Sequence, residues 1–289
     1  MRKIRMSGRQ SLTGFLFTLP VIAGMLVFFL IPFLVSIYMS LTSGAGGEFV
    51  GFRNYVNLLS NGTFQLAARN TGKFILIAVP LIMIIGLGIA LLLSRKLKGS
   101  QFFRTVFIFP YVLPVASVIL FFQIIFEKNG LLNGLLSLLH LPVVDWLHSS
   151  SAFLVLVFLY IWKNCGYNIV LFLAALNSIP KEYYEAADID GANGRQKMYY
   201  ITLPLMVPYL FFIFVISIIN SFKVFREAYI LCGAYPPSSV YMLQHFMNNN
   251  FSNTNYLNLS AGAVLVFLVI FILVIILFRL RRGVGDGRL

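Results

Sequence analysis

Glu185-Ala186-Ala187-Asp188-Ile189-Asp190-Gly191, with Ile201-Thr202-Leu203-Pro204 further on, lies in a short polar island between two long apolar runs. Those runs, at about 152–176 and 203–226, each reach the roughly 20 residues a helix needs to cross a hydrocarbon core. The island itself reads as a short helix. Pro180 cannot extend the helix before it but suits the first turn of a new one. Glu182, Glu185, Ala186 and Ala187 are good helix formers, and Gly191 can take the positive φ that ends a helix and redirects the chain. Glu182 and Glu185 complement the helix dipole, whereas Asp188 and Asp190 oppose it. Ala186 and Ala187 leave a low surface that another backbone can approach. Pro204 then opens the next run. The local pattern is a stiff helix hung between two membrane spans.

The same apolar character extends along the whole chain. Its 289 residues are 59% hydrophobic and 11% charged, with mean hydropathy +0.87, against about 25% charged residues in soluble domains. Candidate spans lie at about 12–40, 70–94, 104–126, 152–176, 203–226 and 259–280. They are expected to be helices, because a backbone in lipid must satisfy its own hydrogen bonds. Unbroken runs without alternation argue against a β-barrel. The fold class is therefore all-α integral membrane, with six transmembrane helices. The first run is too long for a signal peptide and lacks a small-residue cleavage site, so it reads as a retained span kinked at Pro20 and Pro32.

The net charge of +13 is spread among the spans. Arg2, Lys3, Arg5 and Arg9 precede the first; Arg95, Lys96, Lys98 and Arg104 follow the second. Lys181, Arg195 and Lys197 lie in the island, and Arg279, Arg281, Arg282 and Arg288 close the chain. These hold 15 of the 22 Lys and Arg, all on one side if six spans alternate. The positive-inside rule makes that side cytoplasmic, with both termini, and makes the segments 41–69, 127–151 and 227–258 external. Such scatter argues against a nucleic-acid partner. Cys165, within an apolar run, and Cys232, in a loop, form no disulfide framework. His140, His148 and His245 are isolated and read as loop or interfacial residues rather than ligands, so neither a metal nor a cofactor is expected. No G-x-x-x-x-G-K-[ST] phosphate cradle occurs, and no catalytic pair sits at membrane depth. The chain does not read as an enzyme.

The island's full register is E-A-A, three residues, G, nine residues, I-x-L-P. It resembles the EAA loop of permease subunits in binding-protein-dependent ABC importers. Other stretches continue the likeness in order: Gly51-Phe52-Arg53-Asn54-Tyr55, Asn70-Thr71 with Arg95, Arg104 to Pro110 with Pro114, and Gly130-Leu131-Leu132-Asn133. Ile161-Trp162-Lys163, Phe172-Leu173-Ala174-Ala175-Leu176 and Ile179-Pro180 complete it. The resemblance implies an ABC type I importer permease with a MetI-like core. Residues 12–40 would form the first span, 41–69 an external loop and 70–282 the permease domain. Residues 1–11 and 283–289 would be cytoplasmic ends. The loop at 177–202 would carry a coupling helix seated on an ATPase subunit, through Glu185, Ala186, Ala187, Asp190, Gly191, Ile201, Leu203 and Pro204. The order of motifs is that of carbohydrate importers, which carry sugars, oligosaccharides or glycerol phosphates. Implied partners are two ATP-binding subunits, a second and non-identical permease, an external solute-binding protein and the lipid bilayer. The implied location is a bacterial or archaeal cytoplasmic membrane. Two departures stand out: Met198 replaces a frequent Phe, and Leu231-Cys232-Gly233-Ala234-Tyr235-Pro236-Pro237 replaces a T-x-G-G-P turn.

Polar side chains inside spans mark a translocation path, because lipid penalises them. Asn164, Tyr167 and Asn168 in the fourth span and Asn220, Ser221 and Lys223 in the fifth are the candidates. Asn168 and Asn220 equally suit hydrogen bonds between helices, and Tyr111, Tyr160 and Tyr167 suit an aromatic belt. Lys163 and Lys223 must pair internally or snorkel, with Lys223, Arg226 and Glu227 expected near the outer end of the fifth span. A gradient-driven transporter would instead place acidic or histidine relays within spans, or show internal repeats. All nine acidic residues read as loop, span-end or tail positions.

Overall fold

The computed structural model describes residues 8–44, 47–94 and 99–285. Arg2, Lys3, Arg5, Arg95, Lys96, Lys98 and Arg288, with the side chains of Arg9, Arg281 and Arg282, lie outside the described residues. Helices α1 (Gly8–Met25) and α2 (Ile31–Leu41) are joined by a π turn, Leu26–Leu30; α3 (Arg53–Leu59) and α4 (Gly62–Ser94) follow. Next come α5 (Ser100–Val112), α6 (Val115–Phe126), α7 (Leu131–Leu138) and α8 (Ala152–Asn177). The connection after α8 holds α9 (Glu182–Ile189) and α10 (Gly194–Lys197); a second π turn, Met198–Thr202, leads into α11 (Leu203–Ser221). A 3₁₀ turn, Phe222–Val224, joins it to α12 (Phe225–Cys232), before α13 (Leu243–Ser252) and α14 (Tyr256–Gly285). Among the described residues, the only β pairing is an isolated antiparallel bridge, Thr42 to Phe49. Six stretches are long and apolar enough to cross a membrane: Phe15–Leu41, Gly62–Ser94, Val115–Leu138, Ala152–Asn177, Gly194–Cys232 and Tyr256–Arg279.

Both π turns have one chemical cause. Proline lacks the N–H that an α-helix requires and crowds the carbonyl four residues back. Pro32 and Pro204 each sit one residue into the helix after a π turn. There Ile31 N–H donates to Leu26 O, and Leu203 N–H to Met198 O, five residues back rather than four. The first span is thus accommodated by a widened turn at Pro32.

Two compact units are present. One comprises residues 1–61 and 250–269. Within it Asn54 Nδ2 donates to the carbonyls of Ser40 (3.0 Å) and Thr42 (2.9 Å), tying α3 back to the end of α2. Phe33 packs on Phe267 with ring centroids 4.6 Å apart. The larger unit comprises residues 62–249 and 270–289, with α8 as its hub. Phe74, Ala78 and Ile82 of α4 meet Ile169 and Phe172 of α8 in a core that also takes Met206 and Ile213 of α11. Gly166 lets α5 come so near that a Cβ there would fall on the Phe107 carbonyl. A second cluster joins Val118, Ile119 and Phe122 of α6 to Val155 and Leu159 of α8 and Leu231 of α12.

Three boundaries differ from the sequence-based expectation. The second span begins at Gly62 rather than at 70, so Asn70 and Thr71 lie inside α4, where they are buried. Asn70 Nδ2 donates to the carbonyls of Ser238 (2.5 Å) and Tyr241 (3.0 Å), and Thr71 Oγ1 accepts from Leu243 N (2.9 Å). The expected third span, 104–126, is broken. Leu113 is extended (φ −63°, ψ 144°), as the residue before a proline tends to be. The apolar stretch there is instead Val115–Leu138. Inside that stretch the buried Asn133 accepts from Val144 N and Trp146 Nε1, both at 3.1 Å, and donates to Lys128 O at 2.9 Å. The fifth span, expected at 203–226, is helical from Gly194 through Cys232.

Candidate functional site

The connection between α8 and α11 is stiffer than a loop. Asn193 and Gln196 form a reciprocal capping box, with side-chain oxygens accepting from each other's backbone N–H at 3.0 and 2.7 Å. This starts the helical run into α11. At the other end of α9, Gly191 has φ +76°. Its N–H donates to Asp188 O (3.1 Å) and Ala192 N–H donates to Ala187 O (2.9 Å), the paired bonds of a Schellman cap. Tyr184 Oη and Thr202 Oγ1 lie 3.0 Å apart, and Lys197 Nζ donates to Asp188 Oδ1. These two links fasten α9 to the start of the fifth span.

One face of α9 remains open. Glu182, Glu185, Ala186 and Ile189 follow the i, i+3, i+4, i+7 spacing that shares a helix face, and all four are exposed. Ile189 is 88% exposed, with Tyr199 (66%) and Tyr200 (81%) beyond it. Ala187 is half-buried, toward the side where Tyr184 packs on the core. Asp190 is the exposed C-cap of α9. Ile201 and Leu203 are half-buried, and Pro204 is exposed in the first turn of α11.

A separate cavity of about 410 Å³ opens between α5, α6, α8, α11 and α12. Asn164, Asn220 and Lys223, three of the candidates read from the sequence, line it together. Asn164 Nδ2 donates to Tyr160 O (2.9 Å), and Lys223 Nζ to Asn220 Oδ1 (3.3 Å). Tyr167 does not line it; its ring stacks on Tyr111, centroids 5.1 Å apart and 17° from parallel. Asn168, 3% exposed, also lies outside, hydrogen-bonded to Ser217 Oγ of α11 at 3.3 Å. Ser221, likewise buried, donates to Ile218 O.

Sequence reasoning missed the centre of this cavity. Lys163 Nζ donates to Glu227 Oε1 at 2.6 Å, each side chain 8% exposed. Glu227, near the end of the Gly194–Cys232 stretch, is buried in α12 and neutralises a lysine of α8. Arg226 lines the same space, and the break at Leu113–Pro114 adds backbone of irregular shape. The signal was a lysine in an apolar run, whose partner lay 64 residues away in sequence. His245 is another correction, being wholly buried rather than a loop or interfacial residue. Its Nδ1 accepts from Met242 N (3.2 Å), with Phe225 edge-on at 4.9 Å and Tyr241 stacked at 5.6 Å. Burial pushes its pKa down from 6.5 to about 4.

Comparison with known proteins fits this geometry. The family of binding-protein-dependent transport system inner membrane components matches residues 78–284. The trehalose/maltose transport system permease protein MalF of Thermococcus litoralis is 31% identical over 280 residues, covering 95% of each chain. The arabinooligosaccharides transport system permease protein AraP of Bacillus subtilis is 34% identical over 279 residues, covering 92% of this chain and 87% of that one. A chain of the bacterial alginate ABC transporter, solved with an alginate pentasaccharide-bound periplasmic protein, shares the fold. Its TM-score is 0.84 at 22% identity, over 96% of both chains. A multi-pass helical membrane protein with these relatives over nearly its full length belongs to the family of binding-protein-dependent transport system inner membrane components.

Proposed function

We propose that this chain is the transmembrane permease subunit of an ABC importer that carries a carbohydrate across the cytoplasmic membrane. The solute would be a sugar, an oligosaccharide or a glycerol-phosphate-like molecule. Two separate ATPase subunits would supply the energy. A second, non-identical permease would complete the pore, and an external binding protein would deliver the solute. The α8–α11 connection and both termini would face the cytoplasm, as the scatter of Lys and Arg favours.

The observation that carries this reading is the open face of α9 on a braced support. A helix capped at its C-terminal end and bonded to the fifth span moves as a body. Closure of two ATPase subunits on nucleotide would displace α9, and α8 and α11 would tilt with it. Both helices line the cavity, so the tilt would change its access. The permease relatives named for sugars support the solute class.

Proteoliposomes holding this chain with its co-purified subunits and binding protein test the reading. Uptake of labelled oligosaccharide is expected to require internal ATP and the binding protein, and to survive ionophores that collapse proton and sodium gradients. Uptake that ignores ATP and stops on adding ionophore would overturn it in favour of a gradient-driven transporter.

A further inference from the structure

The cavity carries an imbalance of charge. Lys163, Lys223, Arg226 and Glu227 all line it: three cations and one carboxylate. The carboxylate is committed to Lys163 at 2.6 Å. Lys223 contacts only the neutral amide oxygen of Asn220 (3.3 Å) among the described residues. Arg226 has no hydrogen-bond or ion-pair partner among them. Lys223 and Arg226 are spaced i, i+3, which on a helical path sets like charges side by side and destabilises. Uncompensated charge beside a membrane span needs water or a counter-ion. Amides and phenols share the rest of the lining with Leu113, Pro114, Val115 and Val224: Asn164 and Asn220 offer hydrogen bonds, and Tyr111 and Tyr160 offer rings. Amides suit sugar hydroxyls, rings suit the apolar face of a pyranose, and guanidinium suits a planar carboxylate or a phosphate.

We infer that the cavity is an anion-selective subsite, taking the carboxylate, sulfonate or phosphate of an acidic saccharide against Lys223 and Arg226. This rests on the permease reading and narrows its solute. The Lys163–Glu227 pair is the fixed wall, and the two free cations are the selective element. The excess positive field raises the local concentration of anions and lowers that of cations.

The test uses the full chain with whatever subunits co-purify, in phosphatidylcholine nanodiscs, with Cys165→Ala, Cys232→Ala and Asn220→Cys. Labelling is followed with an anionic (sulfonatoethyl) and a cationic (trimethylammonioethyl) methanethiosulfonate, each rate normalised to a small thiol in solution. The anionic reagent is expected to react faster by about 10-fold, and Lys223→Gln with Arg226→Gln to abolish that preference. Glucuronate should slow labelling, where glucose at the same concentration does not, and the double substitution should remove the protection. Equal or faster labelling by the cationic reagent would overturn the inference, since carboxylates of a partner would then fill the site. Equal protection by glucose, or no protection by glucuronate, would overturn it as well. Protection that arises from adding phosphatidylglycerol, with none from glucuronate, would reassign the anion to a lipid headgroup and likewise overturn it. Absence of a co-purified ATPase would count against the importer reading alone, because labelling still reports the charge of the cavity.

Discussion

Lys163 and Glu227 show how one pair of side chains can hold a membrane core together while shaping what lies in it. Each loses its hydration on burial, a penalty of several kcal/mol per ion that only close pairing offsets. Removing one partner strands the other. Lys163→Met or Glu227→Gln alone should destabilise the protein by about 3–5 kcal/mol; Lys163→Met with Glu227→Leu should recover much of the loss. Thermal melting of the four proteins in nanodiscs reads this cycle, and single variants as stable as wild type would contradict it. His245 makes a second residue-scale prediction. Its pKa is pushed down to about 4 from 6.5, so the unfolded chain takes up a proton before the folded one. Its stabilising contribution is full above about pH 6.5 and is lost as pH falls toward 4. His245→Phe should flatten that part of the melting-temperature profile; an unchanged profile would show that another group titrates there.

Helices were largely legible from sequence because lipid demands them, and the apolar runs announce themselves by length, except the third, which was read across the break at Pro114. What was not legible followed from contacts between elements. Nothing local to Lys163 names Glu227 as its partner, and nothing local to Asn70 says that it holds the Ser238–Tyr241 carbonyls. Proline chemistry was readable in kind but not in form: Pro32 and Pro204 produced π turns, whereas Pro114 ended a helix outright. Gly191 was readable because a helix terminus needs positive φ. Gly166 was not, since its requirement comes from α5 packed against it. Gly166→Ala should therefore destabilise by about 1–3 kcal/mol through overpacking. Gly88→Ala, in open space on α4, should be neutral or stabilise by up to about 1 kcal/mol. Melting both variants in parallel checks this, and equal losses would mean that the α5–α8 crossing is looser than described. Of the candidate site, the E-A-A register located α9. The cavity was half visible, as Asn164, Asn220 and Lys223, and its charge balance was hidden in Glu227 and Arg226.

A capped helix with one open face is bonded to the fifth span, and the fourth and fifth spans bear the walls of a polar cavity. In the proposed function force arrives from another subunit, and α9 is its point of entry. The most direct measurement is co-purification of the chain from its native membrane, wild type against Glu185→Arg with Gly191→Pro, with partners identified by mass spectrometry. Circular dichroism of both preparations verifies that each is folded. An ATPase recovered with the wild type and lost from the variant is the predicted result. A folded wild type that brings down no ATPase, or a variant that retains it undiminished, would contradict the account.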